Sequence, residues 1–178
     1  MKKKILLHIC CAPCSASAVE MLKEDYEISF YWHNPNIYDR EEHDKRRDTA
    51  KKYAESLNII FFEEDSCIYD YDKWRAGGGE NCGFCYDVRL SKAAEFAKKN
   101  GFDFFSTSLL SSPYQKHELI EQTGREHAKK NAAEFLYMDF RPAFYEGKNS
   151  LRREGYYIQK YCGCARSCKE RFECDEKK

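Results

Sequence analysis

At 178 residues, with 42% apolar and 34% charged residues, the chain has the length and balance of one globular domain with one sizeable core. Its 30 basic and 30 acidic residues cancel, so no net field draws a nucleic acid or a membrane to the molecule as a whole. No apolar run approaches the roughly 20 residues that would cross a bilayer.

Lys4–Ile9 is a short apolar run that predicts a buried strand. Lys2, Lys3 and Lys4 ahead of Ile5-Leu6-Leu7 give the faint look of a secretory leader. The apolar stretch is short, however, contains His8, and ends in cysteines where a small-residue cleavage site would stand. The N-terminus therefore reads as mature chain, and the expected location is the cytoplasm. Ser15–Lys23 predicts a helix with Ala18, Val19 and Leu22 on one face, and Tyr26–Trp32 a second strand. Asn34-Pro35-Asn36 is a turn, Asp39–Leu57 a long charged helix, and Ile59–Phe62 a third strand. Gly77-Gly78-Gly79 marks a loop. Cys85–Lys99 predicts a helix that Asn100-Gly101 stops. Phe102–Ser108 follows as a fourth strand, Pro113–Asn131 contains a helix, and Glu134–Met138 is a fifth strand. The end, from Glu170 to Lys178, is expected to fray.

This alternation predicts a single α/β domain over residues 1–178, with a mostly parallel sheet and helices on both faces. In such folds the functional site lies at the carboxyl ends of the strands. Cys10-Cys11 follows strand one, Asn34 and Asn36 follow strand two, Ser106-Thr107-Ser108 closes strand four, and Asp139 and Arg141 follow strand five. These groups are expected around one crevice. No internal repeat or low-complexity tract is visible.

Ten cysteines in a chain of this kind call for metal binding or redox chemistry. A reducing compartment and an adequate core argue against a disulfide scaffold. Seven of the ten fall in three clusters: Cys10-Cys11-Ala12-Pro13-Cys14, Cys82-Gly83-Phe84-Cys85 and Cys162-Gly163-Cys164. The first sits where a strand turns into a helix, and free N–H groups there favour thiolates. Adjacent cysteines in extended chain point in opposite directions, so Cys10 and Cys11 need not serve one atom. The second is a metal chelate or a redox dithiol at a helix start. The third is too tight for a zinc knuckle, and could ligate two neighbouring metals or form a strained disulfide. Seven thiols exceed one tetrahedral ion, and a cubane cluster takes four. An iron–sulfur centre is favoured over structural zinc, which would leave Cys14 or the C-x-C unexplained. Cys67 reads as a core thiol, and Cys168 and Cys174 have no partner at a recognisable spacing. His8 reads as a core residue, while His43 and His127 are expected on exposed helix faces.

Charge is uneven near the end of the chain. From Arg141 to Phe172 there are eight Lys/Arg against three Glu, interleaved with Phe144, Tyr145, Tyr156, Tyr157, Tyr161 and Phe172. A solvated basic face is the plainer reading. A surface that tracks phosphates and stacks bases is the sharper one.

Leu6-Leu7-His8-Ile9-Cys10-Cys11-Ala12-Pro13-Cys14 resembles the N-terminal signature of the QueH-type epoxyqueuosine reductases. The resemblance continues through Tyr31-Trp32-His33-Asn34-Pro35-Asn36-Ile37, the C-x-x-C with Arg89-Leu90, and Ser106-Thr107-Ser108-Leu109 with Ser112-Pro113. It extends to Asp139-Phe140-Arg141 and Tyr161-Cys162-Gly163-Cys164. It implies a Rossmann-like fold related to the adenine-nucleotide hydrolase group. It also implies a reductase that removes the epoxide oxygen of epoxyqueuosine in the anticodon loop of tRNA, giving queuosine. A [4Fe-4S] cluster is implied, with a second mononuclear iron or a redox cysteine pair beside it, an unidentified electron donor, and no cobalamin. Family members can carry a carboxylate where this chain has Cys14.

On that resemblance Cys10, Cys11, Cys82 and Cys85 are assigned to the cubane, and Cys14, Cys162 and Cys164 to the second iron. The sequence does not fix this division, and the opposed directions of Cys10 and Cys11 argue for splitting them between the two centres. Electrons would come from the cluster, and the second iron would act as a Lewis acid toward the epoxide oxygen. Tyr161 or Asp139 would deliver protons. Asn34, Asn36, Arg89, Ser108, Ser112 and Arg141 are the expected substrate contacts, with Arg152 and Arg153 on tRNA phosphates. Residues 141–178 would close the metal site. Two rivals are an ATP-dependent tRNA sulfur transferase and a non-enzymatic zinc module that binds RNA. The first needs a glycine-rich phosphate loop after strand one, where Cys10–Ser15 has no glycine.

Overall fold

The computed structural model describes residues 2–64, 71–78 and 81–175. Cys67, expected in the core, lies outside them, as do the side chain of Cys174 and part of the glycine loop, Gly79.

Among the described residues the sheet has four strands: β1 (Lys3–Ile9), β2 (Tyr26–Trp32), β3 (Ile60–Glu63) and β4 (Phe104–Thr107). All are parallel, in the order β3-β2-β1-β4. The register pairs Ile9 with Trp32 and His8 with Thr107, so the carboxyl ends of β1, β2 and β4 come level along one edge. From Ile5 to Ile9 every side chain of β1 is buried, which requires cover on both faces and explains a continuous rather than alternating apolar run. The expected fifth strand is reduced to a single parallel bridge, Phe105 to Phe135. Phe105 N–H donates to Glu134 O and Leu136 N–H to Phe105 O, both at 2.9 Å, and the ladder stops there.

Helices supply the cover. α1 (Ala12–Leu22) packs with α2 (Arg40–Ser56) and α6 (Phe144–Arg153), and α4 (Cys82–Lys99) packs with α5 (His117–Asn131). Two shorter elements are α3 (Tyr71–Ala76) and α7 (Ala165–Asp175). α1 is built of small residues and is buried through Val19, with Pro13 in the first turn where no N–H is needed. Asp39 caps α2 by accepting from Glu42 N–H at 2.7 Å, and Asn81 caps α4 by accepting from Gly83 N–H at 2.7 Å. That cap starts α4 three residues before the expected Cys85 and brings the whole C-x-x-C into its first turn. α7 runs on to Asp175, past the point where fraying was expected.

His43 and His127, expected on exposed faces, are buried. Trp32 packs edge-on against His43 at 5.5 Å, and His127 Nε2 meets Asp87 Oδ1 at 2.7 Å, so both rings sit on the inner flank of otherwise polar helices.

Candidate metal centre

The first cysteine cluster closes on itself. The reactive atoms of Cys10, Cys11 and Cys14 all lie within 4.8 Å of one another, and Cys10 Sγ is 3.8 Å from Cys11 Sγ. The expectation that Cys10 and Cys11 point apart fails because β1 has already ended. Cys10 lies in a bend and Cys11 is the N-cap of α1, with its sulfur accepting from Cys14 N–H at 3.4 Å. Strand alternation no longer applies at that pair. Cys14 O accepts from Ser111 Oγ at 2.8 Å and Ser17 Oγ at 3.0 Å, and Cys11 O from Ser15 Oγ at 2.6 Å. Hydroxyls thus hold the loop backbone and leave the sulfurs for other work.

The three sulfurs cannot all ionise by themselves. Hydrogen bonding with Cys11 and Cys14 holds Cys10 well below the usual thiol range, helped by the Arg89 charge and the Ser108 hydroxyl. Burial pushes the Cys11 thiol up, and the hydrogen bond to Cys10 pushes Cys14 up. One negative charge in the triad therefore opposes the next. Three thiols closed in this way could hold a metal ion, whose charge would favour their ionised forms.

The other two clusters meet at a second place. Cys85 packs in one apolar cluster with Trp74, Phe84 and Cys164, and feels the charges of Cys164 and Cys82. Cys162 feels Cys85 and Cys164. Cys164 precedes α7 as Cys11 precedes α1, and its sulfur accepts from Ser167 N–H at 3.4 Å. Cys162 stands exposed while Cys85 is buried, and burial pushes the Cys85 thiol up against the pull of Arg89. Among the described residues the structure closes one set of three sulfurs within 4.8 Å, Cys10, Cys11 and Cys14, and brings Cys85 and Cys164 into one apolar cluster.

Arg89 stands between the two groups. It is 1% exposed, its Nη2 donates to Asn34 Oδ1 at 2.8 Å, its Nη1 reaches Cys85 Sγ at 3.6 Å, and its Nε donates to His8 Nε2 at 3.4 Å. His8 Nε2 also faces His33 O at 3.2 Å, and its Nδ1 faces Thr107 Oγ1 at 2.9 Å. Burial, then Arg89, drives His8 down to about 3, so the ring stays neutral. Asn34 Nδ2 donates to Ile9 O at 2.9 Å. Arg89, Asn34 and Asn36, expected as substrate contacts, are therefore buried beneath the thiols, where a buried cation offsets thiolate charge.

The remaining expected residues divide. Ser108 accepts from Cys10 N–H at 3.2 Å and sits 3.5 Å from its sulfur. Ser112 accepts from Tyr114 N–H at 3.3 Å at the rim. Asp139, expected as a proton donor, is paired with Arg141. Hydrogen bonds from Arg141, at 2.8 Å from Nε and 2.6 Å from Nη2, hold its carboxyl at about 2, so it carries no proton at neutral pH. Arg141 is in turn occupied by Asp139. Tyr161 stays a phenol, since burial pushes its hydroxyl up, and its ring lies 5.1 Å from the Arg46 guanidinium. Arg152 and Arg153 are exposed at the far end of α6, roughly 12 Å along the axis from Phe144.

Three residues that lay outside the expected site also reach the cysteines. Gln159 Nε2 donates to Cys11 Sγ at 2.7 Å and lies 3.7 Å from Cys14 Sγ, while its Oε1 is buried without a partner. Gln115 Nε2 donates to Cys162 Sγ at 3.5 Å, and its Oε1 accepts from the Tyr86 hydroxyl at 2.6 Å. Arg46, 2% exposed and paired with Glu42 at 2.6 Å, donates to Cys162 O at 2.9 Å and Tyr161 O at 3.0 Å. Amides and a helix arginine carry no spacing signal; only their nearness to the cysteine loops marks them.

A model of the epoxyqueuosine reductase QueH family matches residues 5–170 of this chain. The chain belongs to the epoxyqueuosine reductase QueH family. It is an oxidoreductase of that type. The QueH of Dehalococcoides mccartyi is 34% identical over 175 residues, covering 97% of this chain and 96% of that protein. The QueH of Acinetobacter baylyi is 38% identical over 183 residues, covering 94% and 81%. Among solved structures, the U34-tRNA thiolase NcsA from Methanococcus maripaludis with its [4Fe-4S] cluster aligns at a TM-score of 0.49 and 12% identity, over 92% of this chain and 76% of that one. That likeness is too distant to bear on chemistry. Within the QueH chain no helix among the described residues is long and apolar enough to cross a membrane.

Proposed function

We propose that this epoxyqueuosine reductase works on epoxyqueuosine in tRNA through two cysteine-held centres. Cys82, Cys85, Cys162 and Cys164 hold a [4Fe-4S] cluster, and Cys10, Cys11 and Cys14 hold a separate iron. The observation that carries this reading is the closure of the Cys10, Cys11 and Cys14 sulfurs within 4.8 Å of one another. Four thiolates suit a cubane, and a triad of thiolates leaves a position open to substrate.

The reaction takes two electrons and two protons, breaks both carbon–oxygen bonds of the epoxide, and yields the alkene and water. When bound, the metal centres supply single electrons and Lewis acidity. The chain does the rest. Arg89 offsets the thiolate charge from below. Gln159 and Ser108 orient the triad sulfurs. Gln115 and Arg46 fix the loop that carries Cys162. Tyr161 keeps a phenolic proton at the loop's entry and is the candidate donor, with Asp139 excluded by its low affinity for a proton. Residues 141–175 close the site, since Phe144 packs on Cys11 and Cys14 while Gln159, Cys162 and Cys164 follow it. Exposed Arg152 and Arg153 suit phosphates distant from the reacting base.

The test is anaerobic incubation of iron-reconstituted protein with epoxyqueuosine-containing tRNA and dithionite, followed by nucleoside mass analysis. Queuosine should form without ATP. An unchanged nucleoside, or conversion only with ATP, contradicts the proposal.

A further inference from the structure

The two most exposed large apolar side chains among the described residues are Tyr114, at 79%, and Tyr145, at 61%. They lie 31 positions apart in sequence, yet the Tyr114 hydroxyl is near enough to push the Tyr145 phenol up from its ordinary range. Each is one residue from the chemistry. Phe144, next to Tyr145, is buried against Cys11 and Cys14, and the two rings meet at 5.2 Å and 74°. Gln115, next to Tyr114, donates to Cys162 Sγ. The pair therefore stands on the loop before α5 and in the first turn of α6, each beside a residue that touches a cysteine. Lys148 Nζ lies 5.8 Å from the Phe144 ring, and Lys116 is exposed two residues beyond Tyr114.

Folding gives no reason to leave two phenol rings in water at a site mouth, and solubility would favour charged residues there. A broad aromatic face with cations nearby is what unpaired bases need, because every base has a π-face while the cations meet its phosphates. We propose that Tyr114 and Tyr145 form a stacking clamp for the unpaired nucleobases that flank the target base in the RNA loop. This rests on the reading that tRNA is the substrate. It adds which residues grip the loop and by what force.

The probe is an anticodon stem-loop RNA carrying epoxyqueuosine, with the iron-loaded enzyme. Tyr114→Ala and Tyr145→Ala should each weaken binding, and raise KM, by about tenfold, the order expected for losing one stacked base. kcat and the visible spectrum of the metal centre should be unchanged. Tyr114→Phe and Tyr145→Phe should bind like the wild type, since rings rather than hydroxyls carry the contact. Alanine variants with unchanged affinity overturn the clamp while leaving the tRNA reading intact. So do alanine variants that instead dissociate a dimer, which would assign the pair to an interface between copies. Wild-type enzyme that neither binds nor reduces the stem-loop overturns the tRNA reading and the clamp together.

Discussion

Gly163 sits between Cys162 and Cys164 at φ +132°, where side chains are rarely accommodated. A Cβ there would come within 3.0 Å of Asn36 Nδ2 and Ile37 Cγ1. Its carbonyl accepts from Tyr38 N–H at 3.1 Å, and the neighbouring Cys162 carbonyl accepts from Arg46. A C-x-C is therefore affordable only with glycine in the middle and a buried arginine beneath. Gln159 plays the comparable part at the triad. Its amide N–H donates to Cys11, so Gln159→Ala removes a donor to a thiolate that must stay ionised to hold metal. Titrated with cobalt(II) against a chelator, Gln159→Ala should lose roughly 10–100-fold in affinity at the triad, with altered cobalt–thiolate absorption. Affinity and spectrum equal to the wild type would remove Gln159 from the site.

The meeting of α1 and α6 decides whether Phe144 and Gln159 reach the triad. At Gly147 the two helices approach so closely that a Cβ would stand 2.9 Å from Ser17 N and 3.1 Å from Ala16 Cβ. Alanine in a helix interior is favoured over glycine by about 0.5–1 kcal/mol, whereas overpacking against backbone costs about 1–3 kcal/mol. The clash should win, so Gly147→Ala is predicted to lower the urea midpoint without changing the slope. A higher midpoint would mean that the helices separate freely. Local pattern made most of this layer readable. The apolar runs of β1 and β2 and the Asp39 and Asn100-Gly101 signals place elements to within a few residues. α6 and α7 escaped because their residues are mostly polar; α6 buries only Phe144 and Leu151, two apolar positions seven residues apart, too few to mark a helix before docking. The Glu134–Met138 run reads as a strand from its own residues, but a strand needs a partner ladder, and only Phe135 finds one.

At the scale of the molecule, parallel strands bring Cys10, Asn34 and Ser108 to one edge, as the alternation of elements implies. Which sulfurs keep company is a different matter. Spacing singles out seven thiols, but Cys11 turns back toward Cys10 only because it caps α1, and Cys85 meets Cys164 only in the apolar cluster around Trp74. Those are tertiary facts. The central claim is that four of these cysteines hold a cluster and three hold a separate iron. Iron and acid-labile sulfide counted on anaerobically reconstituted protein test it most directly. Wild type should contain about five iron and four sulfide per chain, four of each belonging to a cubane. Cys14→Ala should fall to about four iron with its sulfide and visible absorption intact, and Cys82→Ala should lose the sulfide. Loss of sulfide in Cys14→Ala would contradict the account.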